Sequence, residues 1–202
     1  MRYFRAWFVL LLLGASAHAA TLKPGLYEGL MLAVAPDGTV QGHYLELQGE
    51  GPSKRCSFFL AGPSSSGRVR INSWSAVGTM EGTLSTHGDD VLLSIQGGRD
   101  HDGCGMVLLP LIDISLPLSK VADGAWTQLR VVRDTRLFFH ASPQASAKRQ
   151  GYLVRGDVVG ISQEVEGWAL AEFVNRTTGR RTSGWLAADG LAALDASRSQ
   201  AK

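Results

Sequence analysis

The sequence predicts an all-β protein whose first half is a small β-sandwich or barrel. Three observations lead there. The chain carries 24 Gly against 7 Pro, which cuts it into short runs. Val, Ile, Phe, Tyr and Trp are spread along those runs, as suits a pleated and half-buried surface. The runs also recur at short, regular intervals between turn signals.

The expected strands of the first half are, in order, 26–34, 39–47, 56–60, 69–74, 80–84, 91–95 and 105–108. Pro36-Asp37-Gly38 supplies a tight hairpin between the first two, and Pro63-Ser64-Ser65-Ser66-Gly67 a flexible loop between the third and fourth. Alternation is imperfect in the second strand, where Val40, Leu45 and Leu47 differ in parity. A bulge at Gly42 would reset it. The segment 109–118 contains Pro110 and Pro117, which argue against a helix, and the boundary between two units is expected near Ala122-Asp123-Gly124.

Residues 1–19 read as a secretory signal peptide. Arg2 and Arg5 precede the apolar run 6–13, and Ala17 and Ala19 provide the small residues a signal peptidase needs. That run is shorter than the ~20 residues required to span a bilayer. No Cys follows it, so no membrane anchor is expected after cleavage. The mature protein should begin at Ala20 and lie in the periplasm or another extracytoplasmic space. Mass spectrometry of exported protein checks this, and a full-length mass would refute it. The polar stretch 195–202 is expected to be a disordered tail.

The formal net charge is +2, and because Arg2 and Arg5 fall within the leader, the remainder is balanced at zero. Such a chain lacks the basic footprint of a nucleic-acid binder. The balance is uneven along its length: residues 20–122 carry a net −3 and residues 123–202 a net +3.

Cys56 and Cys104 are the two cysteines. In an oxidising compartment a single disulfide between them is the first expectation. The competing arrangement is a metal held by His101, Cys104 and Cys56, although one His-x-x-Cys beside a distant Cys lacks the paired knuckles of a zinc site.

In the second half, Leu137 with Ser142-Pro143, then Gly156-Asp157-Val158-Val159, Glu166-Gly167-Trp168-Ala169-Leu170 and Gly184-Trp185-Leu186 form a recognisable series. The stretch 129–191 resembles a bacterial SH3 domain, through the opening strand and Ser-Pro turn, the Gly-Asp hairpin and the two Gly-Trp strands. The resemblance implies an SH3-like β-barrel over 123–194, following a β-rich domain of unrecognised family over 20–122. It further implies contact with peptidoglycan or with an envelope protein. Two departures stand out: Phe138 and His140 occupy positions where the family usually carries Asn and Arg, and 175–182 lengthens one hairpin with basic residues.

Five aromatic residues of this half, Phe138, Phe139, Tyr152, Trp168 and Trp185, are candidates for a recognition groove, since flat rings stack on sugar faces and peptide prolines. Tyr152 and Phe139 are expected to be exposed, with Trp168 and Trp185 half-buried. Arg176, Arg180 and Arg181 would meet a carboxylate-bearing peptide stem. In the first half, Arg99-Asp100-His101-Asp102 is the densest polar cluster and a candidate partner-contacting loop beside Cys104. No nucleophile elbow, phosphate loop or dinucleotide fingerprint occurs, so neither an enzyme nor a cofactor is expected. The sequence therefore points to an exported binding or adaptor protein, and alternatively to an inhibitor or immunity protein directed at a wall-degrading enzyme.

Overall fold

The computed structural model describes residues 21–49, 54–63 and 67–194. The leader, the tail 195–202 and most of the Ser-rich loop lie outside the described residues. The protein is all-β, built from a nearly closed barrel sheet and a curled half-barrel sheet.

Among the described residues the first sheet has nine strands. It runs through β1 (Gly25–Tyr27), β2 (Leu30–Val34), β3 (Val40–Gln48), β4 (Lys54–Gly62), β5 (Arg68–Ser75), β6 (Gly78–His87) and β7 (Asp90–Ile95), and ends with β8 (Leu116–Leu118) and β9 (Lys120–Asp123). Neighbouring strands are antiparallel from β1 to β8, and β9 returns to pair with β1. The two edges of the sheet are thus consecutive in the chain, with Ser119 alone between them, and Glu28 N donates to Ser119 O at 2.9 Å across the seam. Leu30, Leu32, Phe58, Leu60, Leu84 and Leu93 are buried inside.

The second sheet contains β10 (Gln128–Val132), β11 (Leu137–His140), β12 (Lys148–Leu153), β13 (Val158–Val165), β14 (Trp168–Val174), β15 (Arg181–Ala187) and β16 (Leu191–Ala193). Its order is β12-β11-β15-β14-β13-β10-β16, around a core that includes Val132, Phe139, Val159, Ile161 and Leu186. The tight turn at Glu166–Gly167, both residues at positive φ, explains the first Gly-Trp pair.

A third core joins the sheets. Met31 and Ala33, on the outer face of β2, pack against Trp126, Leu129, Val158 and Val174. Val34 N donates to Trp126 O at 3.0 Å, and Leu129 N to Gln41 Oε1 at 2.7 Å.

Four expectations need correction. Gly42 is not a bulge, because β3 keeps unbroken register with both neighbours. A Cβ there would lie 2.8 Å from Leu60, so the glycine serves close packing. The mixed parity of β3 arises because the second sheet covers part of its outer face. The expected strand 26–34 is instead the hairpin β1–β2, folded at Glu28–Gly29. The expected strand 105–108 is instead a 3₁₀ turn, Cys104–Met106, which lets Val107 and Leu108 plug the barrel end. Against the expectation that its prolines exclude a helix from 109–118, Pro110–Asp113 is a further 3₁₀ turn, starting at a proline that costs nothing at a first helical position.

Candidate functional site

The structure separates the candidate residues into three places. The first is the segment capping the first barrel. Cys56 and Cys104 are joined in a disulfide, both fully buried. That bond takes both thiolates. His101 is only 1 % exposed, stacked on Phe58 with ring centroids 4.7 Å apart. Ser73 Oγ donates to Met80 O at 3.1 Å, so His101 Nε2–H donates to Ser73 Oγ at 2.9 Å. Its Nδ1 then accepts from Ser75 Oγ, also at 2.9 Å. Both ring nitrogens are occupied, and the metal alternative has no donors left. His101 also leaves the partner-contacting set, since no partner reaches it, whereas Arg99 and Asp100 are exposed beside it. Arg99 donates to the carbonyl of Gly105, bracing the cap.

The cap presents something sequence reasoning missed. Met106 is 73 % exposed and Ile114 77 %, with Leu109 and Leu111 also exposed. The available signal was a run of apolar residues, 106–112, without a charged one, too apolar for an ordinary loop.

Burial lowers the pKa of His101 to about 4, and that of His43 to about 3, with Arg176 and Arg55 adding to the effect at His43. Each is a base with a lowered folded value, so as pH falls below 6.5 the unfolded chain takes up protons first. Stability is complete above that pH and is lost progressively down to about 4 for His101 and about 3 for His43. The two together should remove on the order of 5 kcal/mol by pH 4. Urea unfolding at stepped pH measures this. His43→Gln is expected to flatten the slope, and equal midpoints at pH 7 and 4.5 would contradict the account.

The second place is the outer face of the second sheet. Phe138 pairs with Tyr152 across β11 and β12, the rings 5.6 Å apart. Lys148 Nζ sits 3.5 Å above the Phe138 ring and the Arg136 guanidinium 4.9 Å above Tyr152. Trp185 pairs with His140 and Leu170, and the His140 ring meets Trp168 edge-on at 4.7 Å. Tyr152 is 45 % exposed, and Trp168 and Trp185 are half-buried. Phe139 corrects an expectation: it is 2 % exposed and belongs to the inner core. Leu137 and Phe139 share the inward parity of β11, so Phe138 takes the outward position assigned above to its neighbour.

The third place is the seam between the sheets, which claims two of the three hairpin arginines. Arg176 donates to the carbonyls of Gly29 and Leu45 on the first barrel, and burial lowers its pKa to about 10. Arg181 forks onto Glu172 at 2.7 and 2.8 Å and donates to Asp123 O at 2.9 Å. Glu172 in turn accepts from Trp126 Nε1 at 3.0 Å. Arg180 is exposed. No family model matches the chain, and neither curated proteins nor solved structures compared with it give a match.

Proposed function

We propose that the chain is an exported, non-enzymatic binding or adaptor protein of the periplasm or another extracytoplasmic space. In this reading the second unit acts as an SH3-like module that contacts peptidoglycan or an envelope protein. The observation that carries it is the outer face of β11, β12, β14 and β15. There Phe138 and Tyr152, each under a cation, lie on the same face as Trp168 and Trp185. Rings of this kind stack on sugar or peptide faces at little entropic cost, and the cations suit carboxylates on a wall peptide. The disulfide fits an oxidising compartment. Among the described residues no helix is long and apolar enough to cross a membrane.

Tyr152→Ala and Phe138→Ala are each expected to weaken co-sedimentation with purified peptidoglycan about three- to tenfold, the worth of one aromatic contact, while Tm stays nearly constant. Wild-type protein that remains in the supernatant at low salt would overturn wall binding and leave the envelope-protein arm, read by cross-linking.

The exposed cap favours a second reading, an inhibitor or immunity protein. Met106, Leu109, Leu111 and Ile114 stand on a segment braced by a buried disulfide, which gives a pre-organised apolar wedge. A wall hydrolase captured from envelope extract by wild-type protein, and lost with Leu109→Asp plus Ile114→Asp, would support it.

A further inference from the structure

Away from both surfaces, the two sheets leave a cleft of about 420 Å³ between them. Its floor is the outer face of the first barrel, where an aromatic row crosses three strands. His43 on β3 stacks on Phe59 of β4 at 4.7 Å, and Phe59 on Trp74 of β5 at 6.0 Å. Phe59 and Trp74 line the cleft, and the second unit supplies Val131, Ala192 and Leu194 opposite them. The turn between β12 and β13 brings in Arg155, and the residue after β10 brings in Arg133.

The polar content of this cleft is one-sided. Among the described residues no Asp or Glu lines it, and neither the Arg133 nor the Arg155 guanidinium has a carboxylate partner. Ser75 also lines it, but its hydroxyl is given to His101. An apolar slot with exposed, unpaired cations is complementary to a molecule with an apolar body and one negative end. Its volume lies in the range of small-molecule pockets, roughly 300–1,000 Å³.

We infer that the cleft binds a small apolar carboxylate, an acyl or aromatic acid, with its body against Phe59, Trp74 and Val131 and its carboxylate toward Arg133 and Arg155. Guanidinium groups suit this end because their forked donors match a carboxylate, and the apolar walls exclude water from the pair. The site stands apart from the aromatic face on β11 and β12, so either can fail without the other.

The test is calorimetric titration of the mature full-length protein with decanoate below its micellar concentration, with decanol as the uncharged counterpart. Decanoate should bind one per chain, and decanol about tenfold more weakly, the ratio expected for one charge-assisted hydrogen bond at an open rim. Arg133→Gln with Arg155→Gln, both on exposed side chains, should bring decanoate down to the level of decanol with Tm unchanged. Ala192→Trp should fill the slot and abolish both, while Tyr152→Ala should bind decanoate as wild type does. Equal binding of decanoate and decanol, wild-type affinity in the double variant, or no binding by wild type would each overturn the inference.

Discussion

Trp126→Ala is expected to lower stability by about 3–5 kcal/mol, the usual cost of emptying a large aromatic site in a core. The effect should exceed that of any other single aromatic truncation in the chain. Trp126 is fully buried and is held from both sides. Its carbonyl accepts from Val34 of the first sheet, and its Nε1 donates to Glu172 of the second, which leaves Glu172 Oε2 and the Arg181 fork to rearrange once the ring is gone. Gly160 lies directly beneath the ring, and a Cβ there would fall 2.3 Å from it. Gly160→Ala should therefore reproduce much of the loss from the opposite side of the same contact. Urea unfolding followed by far-UV circular dichroism measures both. The further expectation is a second transition in the Trp126→Ala curve, as the two sheets stop unfolding together. A loss below 1 kcal/mol, with a single transition, would show that the third core is not what couples them.

Cys104→Ser is the other large effect. Closing the loop of sequence separation 48 contributes about 4 kcal/mol on the chain-entropy estimate. Because both sulfurs are buried, reductant should act slowly on the native protein and quickly on partly unfolded protein. Hydrogen exchange in the variant should show the cap, residues 98–115, losing protection before β3 and β4. Two labelled thiols in wild-type protein unfolded without reductant would refute the bridge outright.

How much of this was legible depends on the residue. Strands β3 to β7 were readable because β-branched and aromatic residues stand between unambiguous turns such as Pro36-Asp37-Gly38 and His87-Gly88-Asp89. Residues 105–108 were not, because a short apolar run suits an edge strand and a barrel plug equally until the disulfide is placed. Leu116 to Leu118 escaped as a strand because Pro117 is tolerated only at a sheet edge, and edges are a property of topology. Of the candidate binding residues, Tyr152, Trp168 and Trp185 could be proposed by type. Choosing Phe138 over Phe139 required the inward parity of β11, and four successive bulky residues, Leu137 to His140, conceal parity. The roles of Trp126 and Arg176 were invisible for a different reason. Each acts by reaching the other sheet, and no local pattern records where a distant backbone carbonyl will lie.

The seam at Ser119 sets a timetable for folding. The first strand finds its last neighbour only when Gly25 meets Asp123, so the barrel cannot close until nearly its whole length has emerged. Local hairpins from β2 to β7 can form early, but β1 waits with one unpaired edge for a segment almost a hundred residues downstream. Pairings of such long sequence separation are slow. During synthesis from the N-terminus, that open edge is the stage at which a chaperone or a second copy of the chain would most readily intervene. Arrival of β9 ends this exposure, and Trp126 follows within three residues, so closing the barrel and seating the second sheet become one late event.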